Sequence, residues 1–214
     1  MIPFPIILSA PSGGGKTTVM KRLLAIRDDI GYSVSATTRA PRSGEVHARD
    51  YHFMSVPEFK RRRSRKQFAE YAEVHGRLYG TLRSEVRKTL KSGRHVIMDI
   101  DVQGARQFHA AFPESVLIFL LPPSGEELLR RLVERDTEGR EAHLIRLRAA
   151  LDELQDVPRY HYVVVNDDLD ATVGRVSAIV DAEEVRHERV PRVQSTTRAL
   201  VSQLKSEIRR YANR

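Results

Sequence analysis

Eight consecutive residues, Ala10-Pro11-Ser12-Gly13-Gly14-Gly15-Lys16-Thr17, have the types and order needed to hold phosphate. Glycines let backbone N–H groups approach phosphate oxygens with no Cβ in the way, and a helix beginning just beyond adds its dipole to the same anion. Lys16 is placed to neutralise β- and γ-phosphate charge, the Thr17 hydroxyl to ligate magnesium, and Thr18 to extend the nucleotide-binding stretch. The pattern is G-x-x-x-x-G-K-[ST] with Ala10 at the first glycine. That position turns the chain, so a methyl is tolerated there if the backbone keeps ordinary L-residue dihedrals. A bare glycine-rich turn is the competing reading, but three successive glycines cost backbone entropy that a plain connection seldom needs. A second piece is Val96-Ile97-Met98-Asp99, an apolar run that delivers a carboxylate at its end. In an open α/β sheet that edge is where ligands sit, so Asp99 is expected to hold magnesium opposite Thr17.

These side chains need a scaffold, and the hydrophobic pattern describes one. Residues 6–9 form a short apolar run leading into the glycines, and Val19, Leu23, Leu24 and Ile26 follow at helical spacing. Residues 96–98, 116–121 and 162–165 repeat this grammar, each short, apolar and weakly alternating, as buried parallel strands are. Ser124-x-x-Glu127 supplies a capping box after one of them. Alternating strands and helices predict an α/β domain with a parallel sheet. Residues 31–82 break the rhythm with polar–apolar alternation and predict a small, mostly β insertion, with a brief helix opened by Ser55-x-x-Glu58 and Pro57. Residues 126–151 are helical in pattern and rich in arginine, with Glu127 and Arg131 spaced for an i,i+4 pair. In residues 183–214, eight Arg or Lys face four Glu. Beyond Ser195, a candidate N-cap, Leu200, Leu204, Ile208 and Tyr211 form one stripe, which predicts a basic amphipathic helix packed on protein.

Composition limits the classes. The 214 residues contain no cysteine, which removes disulfides, thiolate metal sites and cysteine nucleophiles. With 41% hydrophobic and 30% charged residues the chain is globular, and the net charge of +8 favours an anionic partner without naming one. The first residues lack the basic region of a secretory signal, and no apolar run approaches the roughly 20 residues of a membrane span, so the expected compartment is the cytoplasm.

Several runs in order carry a family resemblance: residues 33–45 (Ser-Val-Ser-Ala-Thr-Thr-Arg-Ala-Pro-Arg-Ser-Gly-Glu), Asp50-Tyr51, Phe68-Ala69-Glu70, Tyr79-Gly80-Thr81, Asp99-Ile100-Asp101-Val102-Gln103-Gly104 and Val165-Asn166-Asp167-Asp168-Leu169. On these the chain resembles the guanylate kinases over residues 5–182. The resemblance implies a P-loop nucleoside monophosphate kinase-like parallel sheet flanked by helices. It divides residues 1–182 into a core (1–32, 83–125, 152–182), a β-rich GMP-binding subdomain (33–82) and a helical lid (126–151), followed by a basic extension (183–214). It implies transfer of phosphate from ATP to GMP with Mg2+, and no membrane or specific nucleic-acid partner; a homo-oligomer is open. Arg39 and Arg42 match arginines that grip the GMP phosphate, as a guanidinium fork suits a dianion. Tyr51 and Tyr79 match tyrosines reaching the same phosphate. Glu70 matches the carboxylate that receives guanine, whose N1–H and exocyclic amine form a donor pair that adenine lacks. Ser35, Gly80, Thr81 and Asp101 match further GMP contacts, and Asn166 falls on the adenine side. Arg135 and Arg146 match the lid's phosphate-directed arginines, which join Lys16 and Arg39 as catalytic candidates. Asp136 stands where the family commonly has glycine. A ribose-phosphate phosphokinase of the same superfamily, a non-catalytic guanylate-kinase-like interaction module, and a nucleic-acid binder using residues 60–66 and the basic tail are the alternatives.

Overall fold

The first strand, β1 (Pro5–Ser9), is buried at every position, and α1 (Lys16–Ile26) starts on the last glycine of the loop that follows. The computed structural model describes residues 2–74, 76–134 and 140–212. After α1 come β2 (Ile30–Tyr32), β3 (Ala36–Thr37), β4 (His52–Phe53), α2 (Val56–Ser64), β5 (Phe68–Val74), β6 (Arg77–Leu82) and α3 (Arg83–Lys91). The chain continues through β7 (His95–Asp99), α4 (Val102–Ala111), β8 (Val116–Leu121), α5 (Gly125–Glu134), α6 (Arg140–Gln155), β9 (Tyr162–Val165), α7 (Leu169–Glu184) and α8 (Val193–Ala212).

Five strands form one parallel sheet in the order β2-β7-β1-β8-β9. The central strands lie under helices on both faces, which is why their sequences are apolar throughout. Ile7, Val96, Met98 and Leu117 pack with Val86, Ala105, Phe108 and Phe112, and burying each large side chain contributes roughly 1.5–3 kcal/mol. The remaining strands make a second sheet, β4-β3-β6-β5, in which β6 runs antiparallel to both neighbours. It has its own core of Ala36, Phe59, Phe68 and Leu82, with Phe59 stacked on Phe68 at 4.3 Å between ring centroids. Gln107 of α4 takes the Tyr71 N–H and donates to the Tyr71 carbonyl, acting as a backbone surrogate along the edge of β5. The chain is thus α/β with a parallel sheet, as the pattern predicts.

The differences from expectation are local. Strand β2 was not foreseen; it is three residues long and contains Gly31, whose missing Cβ leaves room for Thr89 Cγ2, 2.7 Å from where that atom would be. Ser124 caps α5 by accepting the Glu127 N–H, but the Glu127 carboxylate turns to Arg130 and Arg131 instead of closing the box. Helix α6 runs to Gln155, four residues beyond the expected lid boundary. Ser195 is not an N-cap: α8 begins at Val193, after Arg192 adopts a positive φ of 59°, and the Ser195 hydroxyl donates back to the Arg192 carbonyl.

By internal packing the described residues form two compact units, Pro3–Ser177 and a smaller one of residues 178–212 with residue 2. In the smaller unit, Glu183 is buried and bridged by Arg186 and Arg189, while Leu200, Leu204, Ile208 and Tyr211 of α8 are exposed. Among the described residues no helix is long and apolar enough to cross a membrane.

Candidate active site

The loop between β1 and α1 leaves the C-terminal edge of the central strand, and its shape explains its glycines. Gly13 and Gly15 have φ of 79° and 87°, the left-handed region that costs an L-residue most. Gly14 is required for space: a Cβ there would lie 2.6 Å from the Ala10 methyl and 2.8 Å from the Pro11 carbonyl, which accepts the Gly14 N–H. Ala10 is fully buried and has no positive φ, so the methyl is accommodated on the terms expected. Lys16 Nζ donates to the Ala10 carbonyl at 2.6 Å, which draws the ammonium across the loop. Thr17 Oγ1 donates to Asp99 Oδ2 at 2.6 Å. Parallel pairing of β1 with β7, Leu8 opposite Asp99, brings the two together from 82 residues apart. Pro11 to Thr18 line a concavity of about 200 Å³.

Beside it, Gly13, Gly15, Thr18, Val19, Arg130, Arg131, Asn166, Asp167 and Leu169 surround a second space of about 380 Å³. Asn166 follows β9 and is buried, its amide donating to the Gly14 carbonyl at 2.8 Å. It therefore braces the loop backbone as well as bordering this cavity. Arg131, read from sequence only as a surface ion pair, reaches the Asn166 carbonyl while holding Glu127 at 2.6 Å. Hydrogen bonds from Arg130 and Arg131 hold the Glu127 carboxyl down at about 2.

Across the same sheet edge, the second sheet walls a cleft of about 290 Å³. Ser35, Tyr51, Glu70, Tyr79, Gly80, Asp99 and Asp101 line it, together with Tyr32, which sequence reasoning did not select. Glu70 sits at its floor, 7% exposed, and Thr81 Oγ1 donates to its Oε1 at 2.6 Å. Burial pushes the Glu70 carboxyl up to about 7; the Asp101 charge adds to the shift and the Thr81 hydrogen bonds oppose it. Asp101 caps α4 through Oδ1 and the Gly104 N–H at 2.7 Å.

Arg39 and Arg42 lie in the loop after β3. Both terminal nitrogens of Arg39 bond Glu45, at 2.8 and 2.9 Å, and its guanidinium rests over Tyr51 at 5.3 Å and Phe53 at 5.7 Å. Glu45 also accepts the Arg42 N–H, and these bonds, that of Arg39 foremost, pull its carboxyl to about 2. The Arg42 side chain is exposed. Glu45 is a residue sequence reading quoted without giving it a task; its spacing from two arginines was the available signal. Arg146 is half buried on α6. Arg135 and Asp136 lie outside the described residues.

The donor set fits a hard divalent cation: Thr17 Oγ1 and Asp99 Oδ2 converge at the phosphate loop, and magnesium characteristically takes one or two protein oxygens and leaves its other positions to phosphate and water. A glycine-rich loop and a cleft floored by a carboxylate thus meet at Asp99, which accepts from Thr17 and lines the cleft. That arrangement suits two phosphorylated ligands that meet at one sheet edge.

Comparison with known proteins gives the family. The guanylate kinase family model matches residues 3–183. The chain is 46% identical over 185 residues to the guanylate kinase of Clostridium perfringens strain SM101, covering 86% of each chain, and 45% identical over 184 residues to that of Geobacter sulfurreducens, covering 86% and 91%. A crystal structure of guanylate kinase from Anaplasma phagocytophilum superposes with a TM-score of 0.71 at 35% identity, over 91% of this chain and 93% of that one.

Proposed function

The chain belongs to the guanylate kinase family and phosphorylates GMP to GDP at the expense of ATP, and from that premise we propose how its residues divide the work. The observation that supports the division is the buried Glu70 carboxylate at the floor of a cleft whose mouth carries Tyr51 and Tyr79. A carboxylate there accepts the guanine N1–H and exocyclic amine together, while Ser35 and Asp101 complete the polar lining and the buried Thr81 holds Glu70 from behind. Arg39, Arg42, Tyr51 and Tyr79 receive the GMP phosphate, and Gly80 keeps the β6 backbone close to Glu70, whose carbonyl lies 2.7 Å from where a Cβ would stand.

ATP lies along the loop from Ala10 to Thr18, with its base toward Asn166 and its phosphates on the backbone N–H groups and Lys16. Thr17 and Asp99 would hold Mg2+, which would supply charge cancellation to the phosphates. The attacking GMP oxygen is already anionic, so the protein supplies no general base. What it supplies is alignment, exclusion of water and positive charge where the moving phosphoryl group gathers negative charge. Lys16, Arg39, Arg146 and Arg135 are assigned that task.

A coupled ADP-release assay with GMP, AMP, UMP and ribose phosphates as acceptors tests the reading. Turnover is expected with GMP and to fall sharply with the rest; a ribose phosphate turned over faster than GMP would overturn it.

A further inference from the structure

The end of the lid helix reaches the phosphate loop. Glu153 Oε2, on the last turn of α6, accepts the backbone N–H of Ser12 at 2.9 Å across 141 residues of chain. This carboxylate is half buried beside the loop. Burial raises its proton affinity, attraction to Lys16 and the Ser12 N–H oppose the rise, and Asp101 adds repulsion. A glutamate on a surface helix would ordinarily turn to solvent, because half-burying a carboxylate costs free energy unless partners compensate.

The helix gives this side chain little freedom. Three residues before it, Ala150 packs with Leu128 and Leu132 of α5, and the adjacent Leu154 joins the same cluster. Three residues after it, Asp156 is buried and bridged by Arg106 of α4 and by Arg159. Glu153 is therefore held between two anchored positions, facing the loop. On the loop's other limb, the Asn166 amide grips the Gly14 carbonyl. The backbone between Pro11 and Gly15 is thus tied from two sides, one tie from β9 and one from the base of the lid.

We propose that Glu153 is a positioning residue: by accepting the Ser12 N–H it fixes the outer limb of the phosphate loop to the base of the lid helix, so that the loop keeps its phosphate-receiving shape before ATP arrives. The proposal rests on the reading that residues 10–18 receive ATP. Its working part is the hydrogen bond, with the charge secondary, so shape and charge are separable by substitution. Glutamine keeps an acceptor at the same reach without the charge, aspartate keeps the charge one methylene short, and alanine removes both.

The test is steady-state kinetics of Glu153→Ala, Glu153→Gln and Glu153→Asp with ATP and GMP varied separately, alongside thermal unfolding of each. Glu153→Ala and Glu153→Asp are expected to raise KM for ATP by about tenfold and leave KM for GMP within about twofold, while Glu153→Gln stays within about threefold of the parent for both. Wild-type KM for ATP in folded Glu153→Ala overturns the proposal. So does a Glu153→Gln as impaired as Glu153→Asp, which would place the effect in the charge; this contrast decides the matter even if the alanine variant does not fold. KM values for both nucleotides rising together with a lowered unfolding temperature would likewise reduce Glu153 to a general structural role. Lys16→Ala is run in parallel: normal turnover there removes the ATP-loop premise itself, whereas an inert Lys16→Ala beside an unimpaired Glu153→Ala overturns this proposal alone.

Discussion

Exchanging Glu70 for glutamine is expected to make the protein more stable and its reading of the base worse, each with its own dependence on pH. In the folded chain burial lifts this carboxyl from 4.5 to about 7, so the native state binds the proton more tightly than the unfolded chain does. Stability from this group is complete below pH 4.5 and is lost as pH rises through 7. At about 1.4 kcal/mol per pKa unit, the buried carboxylate then costs on the order of 3 kcal/mol in the ionised form. Glutamine still offers an oxygen to the Thr81 hydroxyl but carries no charge beside Asp101. Denaturant titration should show Glu70→Gln gaining up to about 3 kcal/mol over the parent at pH 8, shrinking toward zero near pH 4.5. Binding moves the other way. Only the ionised carboxylate accepts from both guanine donors, and with a pKa of about 7 it is roughly 90% ionised at pH 8 and roughly 10% at pH 6, so KM for GMP should rise about tenfold between them. The GMP phosphate, whose second pKa is near 6, adds a slope of its own that both proteins share. The slope that disappears in Glu70→Gln belongs to the carboxylate, and preference for GMP over AMP should fall by about 1–3 kcal/mol with it. Parallel pH profiles for the two proteins, or equal stability at pH 8, would refute the reasoning.

Two further outcomes concern the phosphate loop. Lys16→Ala should lower turnover by on the order of 10³-fold or more while calorimetric GMP affinity stays unchanged, since the GMP cleft is built without it; wild-type turnover would remove the lysine from the chemistry. Gly14→Ala should raise KM for ATP, because its Cβ would stand 2.6 Å from the Ala10 methyl and 2.8 Å from the Pro11 carbonyl. Adding Ala10→Gly removes the first clash only, so the double variant should recover part of the loss, and a double variant no better than the single would show that the backbone contact dominates.

The parts of this molecule legible in its sequence are those where one physical demand acts on neighbouring residues. Strands buried on both faces must be apolar throughout, which made β8 readable to the residue, while β9 was legible as a β-branched run although Val163 and Val165 are exposed at the sheet edge. Phosphate on a backbone must meet glycine, which marked the loop. Strand β2 escaped because its three residues acquire meaning from β7 alongside and from Thr89 and Arg94 around Gly31. Ser195 misled because a serine ahead of an apolar stripe satisfies a capping pattern whether or not the backbone turns there. Glu70 is legible by resemblance, yet its lifted proton affinity comes from a fold that buries this stretch of β5 against β6 and α4. Glu153 and Arg131 look like any charged residues of an arginine-rich helix, because their partners, Ser12 and Asn166, are brought near only by the completed sheet.

The groups assigned to substrates each have an internal partner: Lys16 the Ala10 carbonyl, Thr17 Asp99 and Arg39 Glu45. Each incoming phosphate therefore trades places with an internal partner and does not meet a bare charge. An exchange of this kind subtracts the internal bond from what each phosphate contact contributes in the ground state. The larger return is reserved for the moment when the phosphoryl group carries more charge than an internal carbonyl or carboxylate can match.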